Sequence, residues 1–180
     1  MNIGLFVKKI KSKSVVADSL AMAERYYIDP NPVRKEIKSL LMFSKKIDNM
    51  KLDIGFDLSF RVPNSDMTKI AEKLVKNEQF RVRAVEIYIN LKKMLNRLNY
   101  IYSNSKNYIM VEYGALMSSM TKDAKMALID VVYEDVLKHK YEIEELIDDI
   151  NKVLSAMDSA HFTLKEIKSV GEGIIQRTMV

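Results

Sequence analysis

At 180 residues, 48% of them apolar, the chain is long enough for one domain, or one domain with an added arm, around a real core. It has no Cys, which excludes disulfides, thiol nucleophiles and thiolate metal sites. The net charge of +5 hides an asymmetry: residues 1–100 hold 20 Lys and Arg against 11 Asp and Glu, whereas residues 101–180 hold 9 against 13. A polyanion is drawn to the basic half. The same asymmetry also lets the two halves attract each other, within a subunit or between subunits.

Helix breakers are few, with 5 Gly and 3 Pro against 12 Met, and such numbers favour helix. No uncharged stretch approaches the roughly 18 residues needed to span a bilayer. Met1 to Ile10 lacks the long apolar run and small-residue cleavage site of a signal peptide. The expectation is a soluble, cytoplasmic protein.

Taken in chain order, Lys8, Lys9, Lys11 and Lys13 make a basic N-terminal arm, solvated or in contact with phosphates. Ser14 suits the cap of a short helix from Val15 to Tyr27, and Ile28-Asp29-Pro30-Asn31-Pro32 breaks it. Asn31 and Pro32 then suit the cap and first position of a helix to about Met50. Its apolar side is Val33, Ile37, Leu40, Leu41 and Ile47, and its other side is Arg34, Lys35, Lys38, Lys45 and Lys46. From 51 to 61, Leu52, Ile54, Phe56, Leu58 and Phe60 alternate with polar or small residues, which predicts an extended, β-like segment. Ser65 or Asp66 suits the cap of a short helix through Lys76, and its merger with the next helix at Asn77 is left open.

From Asn77 to Ser105 an apolar line runs through Phe80, Ala84, Ile87, Leu91, Met94, Leu98 and Ile101, alternating steps of four and three. That spacing predicts a long helix with one face buried against another helix. A parallel line, Tyr88, Leu95 and Tyr102, widens the face. Tyr108 to Met120 reads as a connecting helix weakened by Gly114. Thr121 then precedes a second long helix whose apolar line runs from Ile129 through Val136, Ile143, Ile150 and Met157, with Asp158-Ser159 as its stop. A final helix from Phe162 to about Arg177 carries Gly171 and Gly173 in its middle. The fold class expected is all-α: a long antiparallel helical hairpin or bundle, with short N-terminal helices and one extended segment near 51–61. Residues 1–64 form the basic arm region and residues 65–180 the hairpin domain.

No constellation for an enzyme is present. Glu142, Glu144, Glu145, Asp148 and Asp149 spread around their helix with no His at ligand spacing, which reads as a solvated acidic face. His139 and His161 stand alone, and Ser118 and Ser119 have no partnering base. Gly171-Glu172-Gly173 follows no strand and is no phosphate loop. No cofactor or metal is expected. The first long helix differs, because Arg81, Arg83, Lys92, Lys93 and Arg97 occur with Tyr88, Tyr100 and Tyr102. Cations bind phosphates and aromatic faces stack unpaired bases, a mix suited to single strands. The nucleic-acid-binding candidates are Arg81, Arg83, Lys92, Lys93, Arg97, Tyr100 and Tyr102. The plainer reading puts the tyrosines in the core and leaves the cations to solubilise the outer face.

Arg97-Leu98-Asn99-Tyr100-Ile101-Tyr102-Ser103 resembles the Arg-Leu-Asp-Tyr-Tyr-Ser segment of the phage recombination mediators, the UvsY family. Phe162-Thr163-Leu164-Lys165-Glu166-Ile167 is similar to that family's C-terminal Phe-x-Ile-Lys-x-Ile segment, at a similar separation. The resemblance covers roughly residues 77–170. The family's basic Lys-x-Arg pair is matched by Arg97, but Leu95 stands in the Lys position and Lys93 lies half a turn further back. The resemblance implies a non-enzymatic homo-oligomer that binds single-stranded DNA and helps a RecA-like recombinase displace a single-strand-binding protein. The other reading open to this sequence is a helical phage or satellite structural protein, a scaffold or capsid-associated factor that works on a coat protein.

Overall fold

The computed structural model describes residues 3–53 and 64–178, and all regular structure among them is helical. Six helices follow one another: α1 (Ile3–Lys11), α2 (Ser14–Glu24), α3 (Pro30–Asp53), α4 (Asn64–Tyr113), α5 (Lys122–Val132) and α6 (Glu134–Thr178). The chain divides into two compact units, Met1–Pro30 with Asn90–Leu146, and Asn31–Ile89 with Ile147–Val180. Helices α4 and α6 each contribute to both.

In the first unit the basic N-terminal stretch is itself helical. Phe6 and Ile10, one turn apart, are buried in α1, with the Phe6 ring edge-on to Tyr113 at 6.0 Å. The chain then pauses at Ser12 and Lys13, where Ser12 Oγ donates to the Lys9 carbonyl at 2.9 Å and Lys13 is extended. Val16 and Ala23 are the buried positions of α2. From α4, Leu91, Leu95, Leu98, Ile101 and Ile109 are buried, as are Leu128, Ile129 and Val132 of α5 and Val136 and Ile143 of α6. Thr121 caps α5 as its sequence suggests, its side chain accepting from the Ala124 N–H at 3.3 Å. Asp123 in the first turn adds a favourable charge at the positive end of the helix. The second long helix expected from Thr121 is split at Tyr133, which leaves helical geometry at φ −107°, ψ 24°. Burial explains the split: Tyr133 is fully buried, and its hydroxyl shares a 2.8 Å hydrogen bond with Ser19 of α2.

The second unit packs α3 against the first half of α4 and the second half of α6. Ile47, Ile70, Ala160 and Leu164 form a buried cluster flanked by Phe43, Met67, Leu74 and Ile167. Ile70 meets Leu164, and further along α4 Asn77 meets Met157, so the two helices run antiparallel here. Pro30 and Pro32 lie in the first turn of α3, where a backbone N–H has no helical acceptor to lose. The alternating run over 51–61 is not seen as a strand. Lys51–Asp53 form the last turn of α3, and residues 54–63 lie outside the described residues.

Several polar residues that read as helix ends are interior. Asn77 is fully buried in α4, its Nδ2 donating to the Met157 carbonyl at 3.0 Å. Helix α4 continues through Ser103-Asn104-Ser105, and Ser105 is buried. Asp158-Ser159 does not stop α6, since Ala160, Thr163 and Leu164 beyond it are all buried. Helix α4 does end beside Gly114, where a Cβ would come within 2.5 Å of the Met110 carbonyl oxygen. Among the described residues no helix is long and apolar enough to cross a membrane.

Asn77 gives a direct check on this packing. Its Oδ1 has no partner among the described residues, so Asn77→Leu loses one bond and removes one unpaired acceptor. The expected change is within about 1 kcal/mol. Asn77→Asp buries a carboxylate against a carbonyl and is expected to cost about 3 kcal/mol or more. Urea unfolding of both variants measures the difference, and equal midpoints contradict the assignment.

Candidate nucleic-acid interface

The site follows from the composition of one stretch of α4. Between Glu86 and Glu112 the sequence has no acidic residue but has Lys92, Lys93, Arg97 and Lys106, with Asn90, Asn96, Asn99, Asn104 and Asn107 interspersed. The core sets which of these reach water. With Leu91, Leu95, Leu98 and Ile101 buried, the opposite face exposes Lys93, Asn96, Arg97, Tyr100, Ser103 and Asn104. Lys93, Arg97 and Tyr100 are spaced four and three residues apart on that face, so together they span about 10 Å of helix. Tyr100 is 63% exposed, which leaves its ring free for stacking. Leu95 points into the core. Lys93, one turn before Arg97, lies on the exposed side with it.

The other candidates are placed differently. Arg81 and Arg83 belong to the second compact unit, and both are engaged by carboxylates. Arg81 Nε donates to Asp158 at 2.6 Å. Arg83 donates to both oxygens of Glu36, at 2.6 and 3.3 Å, and to Glu86 at 3.1 Å. The hydrogen bonds to Asp158 and to Glu36 hold the two guanidinium pKa values above their ordinary range. Lys92 is half-buried.

Tyr102 is a strut. Its hydroxyl donates to the Asp130 carboxylate of α5, its ring meets Tyr133 edge-on at 5.9 Å, and the Lys140 ammonium lies 5.1 Å from its centroid. Burial and then the Asp130 bond push its pKa above the ordinary 10.0. The exposed cation–tyrosine set within the first unit therefore narrows to Lys93, Arg97 and Tyr100.

Elsewhere in that unit the surface carries both signs, since Lys8, Lys9, Lys11 and Lys13 are also exposed. A groove of about 550 Å³ between α5 and α6 has Asp130, Glu134, Glu142 and Glu145, with one cation, Lys138, around Val131, Leu137 and Tyr141. His139 is half-buried, edge-on to Tyr27 at 3.8 Å, with Nδ1 3.2 Å from Glu142. In the second unit, Asp149 is paired with Lys152 at 2.9 Å. Among the described residues no group of three or more His, Asp or Glu is arranged to hold a metal ion. The exposed asparagines are the part of the site that sequence reasoning overlooked. The acid-free run around them was the available signal.

Comparisons with family models, with curated proteins and with solved structures found no match.

Two tyrosines two residues apart thus have separate roles, and substitution distinguishes them. Tyr102→Phe leaves the Asp130 carboxylate without its donor and is expected to cost about 1–2 kcal/mol, whereas Tyr100→Phe is expected to stay within about 0.5 kcal/mol. The pKa shift sets the pH dependence. The fold favours neutral Tyr102, so its contribution is complete below the unfolded value of 10.0 and is lost as pH rises beyond it. Denaturant unfolding between pH 8 and pH 11 should show a decline above about pH 10 that Tyr102→Phe reduces. An identical decline in parent and variant contradicts the assignment.

Proposed function

We propose that this protein is a non-enzymatic recombination mediator of the UvsY type, binding single-stranded DNA and helping a RecA-like recombinase displace a single-strand-binding protein. The observation that carries the reading is the acid-free exposed face of α4, where Lys93 and Arg97 stand beside the free ring of Tyr100. Arg97 and Tyr100 also belong to the segment that resembles the mediator family. In the second such segment Thr163 and Leu164 are buried, while Phe162, Lys165 and Glu166 are exposed. The cations supply phosphate contacts that do not depend on base sequence, and the ring supplies stacking on any base. One such face is weak. Repetition in a homo-oligomer makes the sum strong, because each later contact is intramolecular. A mediator of this kind works in the cytoplasm of the host cell, alongside the recombinase.

A specific feature of α4 favours a second reading, a helical assembly or scaffold protein acting on a phage coat protein. Val75, Val82 and Ile89 recur seven residues apart and are 61%, 51% and 44% exposed. This narrow apolar stripe suits another helix better than it suits water.

Titration of labelled oligo(dT) at low and moderate salt separates the two. The mediator reading predicts affinity that falls steeply with salt. It also predicts at least a tenfold loss for Lys93→Ala combined with Arg97→Ala, and a loss of about 1–3 kcal/mol for Tyr100→Ala. Absence of binding at low salt removes the mediator reading and leaves assembly.

A further inference from the structure

The second compact unit has a cationic face of its own, on α3. Between Asn31 and Asp48, five cations, Arg34, Lys35, Lys38, Lys45 and Lys46, stand with two acids, Glu36 and Asp48. Packing sorts them. Ile37, Leu40, Ser44 and Ile47 are buried, and the Phe43 ring packs edge-on to Phe80 at 4.4 Å. The turns between therefore send Lys35, Lys38, Met42, Lys45 and Lys46 outward, and all five are exposed. Glu36 does not neutralise them, because Arg83 takes both its oxygens at 2.6 and 3.3 Å. Helix α4 adds the exposed Lys76, whose ammonium lies 5.9 Å from the Phe43 centroid and 6.0 Å from that of Phe80. From Lys35 to Lys46 the ridge is about 16 Å long.

We infer that this lysine ridge is a second binding surface for single-stranded DNA, one that holds the phosphodiester backbone by charge alone. The inference rests on the DNA-binding reading of the chain and adds a site to it. Lysine is a compact point charge without the planar fork that arginine uses for paired recognition. No exposed tyrosine accompanies these lysines on α3, so the ridge supplies attraction without base stacking. A lipid surface fits less well. An interfacial helix buries an apolar face in the membrane, whereas Ile37, Leu40 and Ile47 of α3 are turned into the protein and, among its described residues, Met42, 62% exposed, is the large apolar side chain outside.

The experiment uses the full chain, fluorescein-labelled oligo(dT) and a series of salt concentrations. Variants are Lys35→Gln, Lys38→Gln, Lys45→Gln and Lys46→Gln combined, the same four positions changed to Arg, and Lys93→Ala with Arg97→Ala. Thermal melts confirm that each is folded. The Gln variant is expected to bind at least tenfold more weakly at low salt. The slope of log affinity against log salt should shrink by about 2–3, since each lost phosphate contact on a single strand removes about 0.7. The Arg variant should bind as the parent does. A Gln variant with the parent's affinity and slope overturns the ridge, and weakening of the Lys93/Arg97 variant in the same series leaves the α4 site standing. Loss in the Gln variant without loss in the Lys93/Arg97 variant supports the ridge and removes the α4 site. A parent that does not bind oligo(dT), or whose four lysines matter only for phosphatidylserine vesicles, also overturns it.

Discussion

The burial of Leu91, Leu95, Leu98 and Ile101 fixes the rotation of the C-terminal half of α4, and with it everything that half shows to solvent. A helix has one rotational setting that satisfies its apolar positions, because turning it by a third of a revolution exposes leucines at about 1.5–3 kcal/mol each. Lys93, Arg97 and Tyr100 are therefore held outward by hydrophobic packing on the far side. The same logic orders α3, where Ile37, Leu40 and Ile47 face in and a row of lysines faces out. In both units the chemistry of the surface is set by the core beneath it.

Stability alone does not account for the outer face of α4. Lys93 and Arg97 are like charges four residues apart, an arrangement that costs an isolated helix about 0.2–0.5 kcal/mol. A Glu in the neighbouring turn would turn that cost into a gain, yet the helix has no acid from Ile87 to Val111. Two arginines of the second unit differ, since Asp158 accompanies Arg81 and Glu36 accompanies Arg83. The contrast between accompanied and unaccompanied cations is what divides structural charge from the surface proposed to meet phosphates.

Much of the fold was legible because it is local. The three-and-four spacing from Phe80 to Ile101 and from Ile129 to Met157 reports helix rotation directly, and the Thr121 cap acts within its own turn. What stayed hidden depends on partners far along the chain. Asp158 reads as a stop signal, but the helix runs on, and its carboxylate is engaged by Arg81 of α4. Tyr133 sits in an unbroken apolar rhythm, and only its buried bond to Ser19, 114 residues away, shows why the helix breaks there. Of the alternating run expected over 51–61, only Lys51–Asp53 fall among the described residues, and they continue α3. At the site, the cation–tyrosine mixture was visible in sequence. The division between Tyr100 as a free ring and Tyr102 as a strut needed the position of Asp130.

In the proposed function, Tyr100, Arg97 and Lys93 meet a single strand while Tyr102 stays in the protein. Hydroxyl-radical footprinting read by mass spectrometry, with and without oligo(dT), tests this residue by residue. Protection of Tyr100 on adding DNA, with the reactivity of Tyr102 unchanged, is the predicted result. Unchanged reactivity at Tyr100 under conditions where DNA is bound contradicts it.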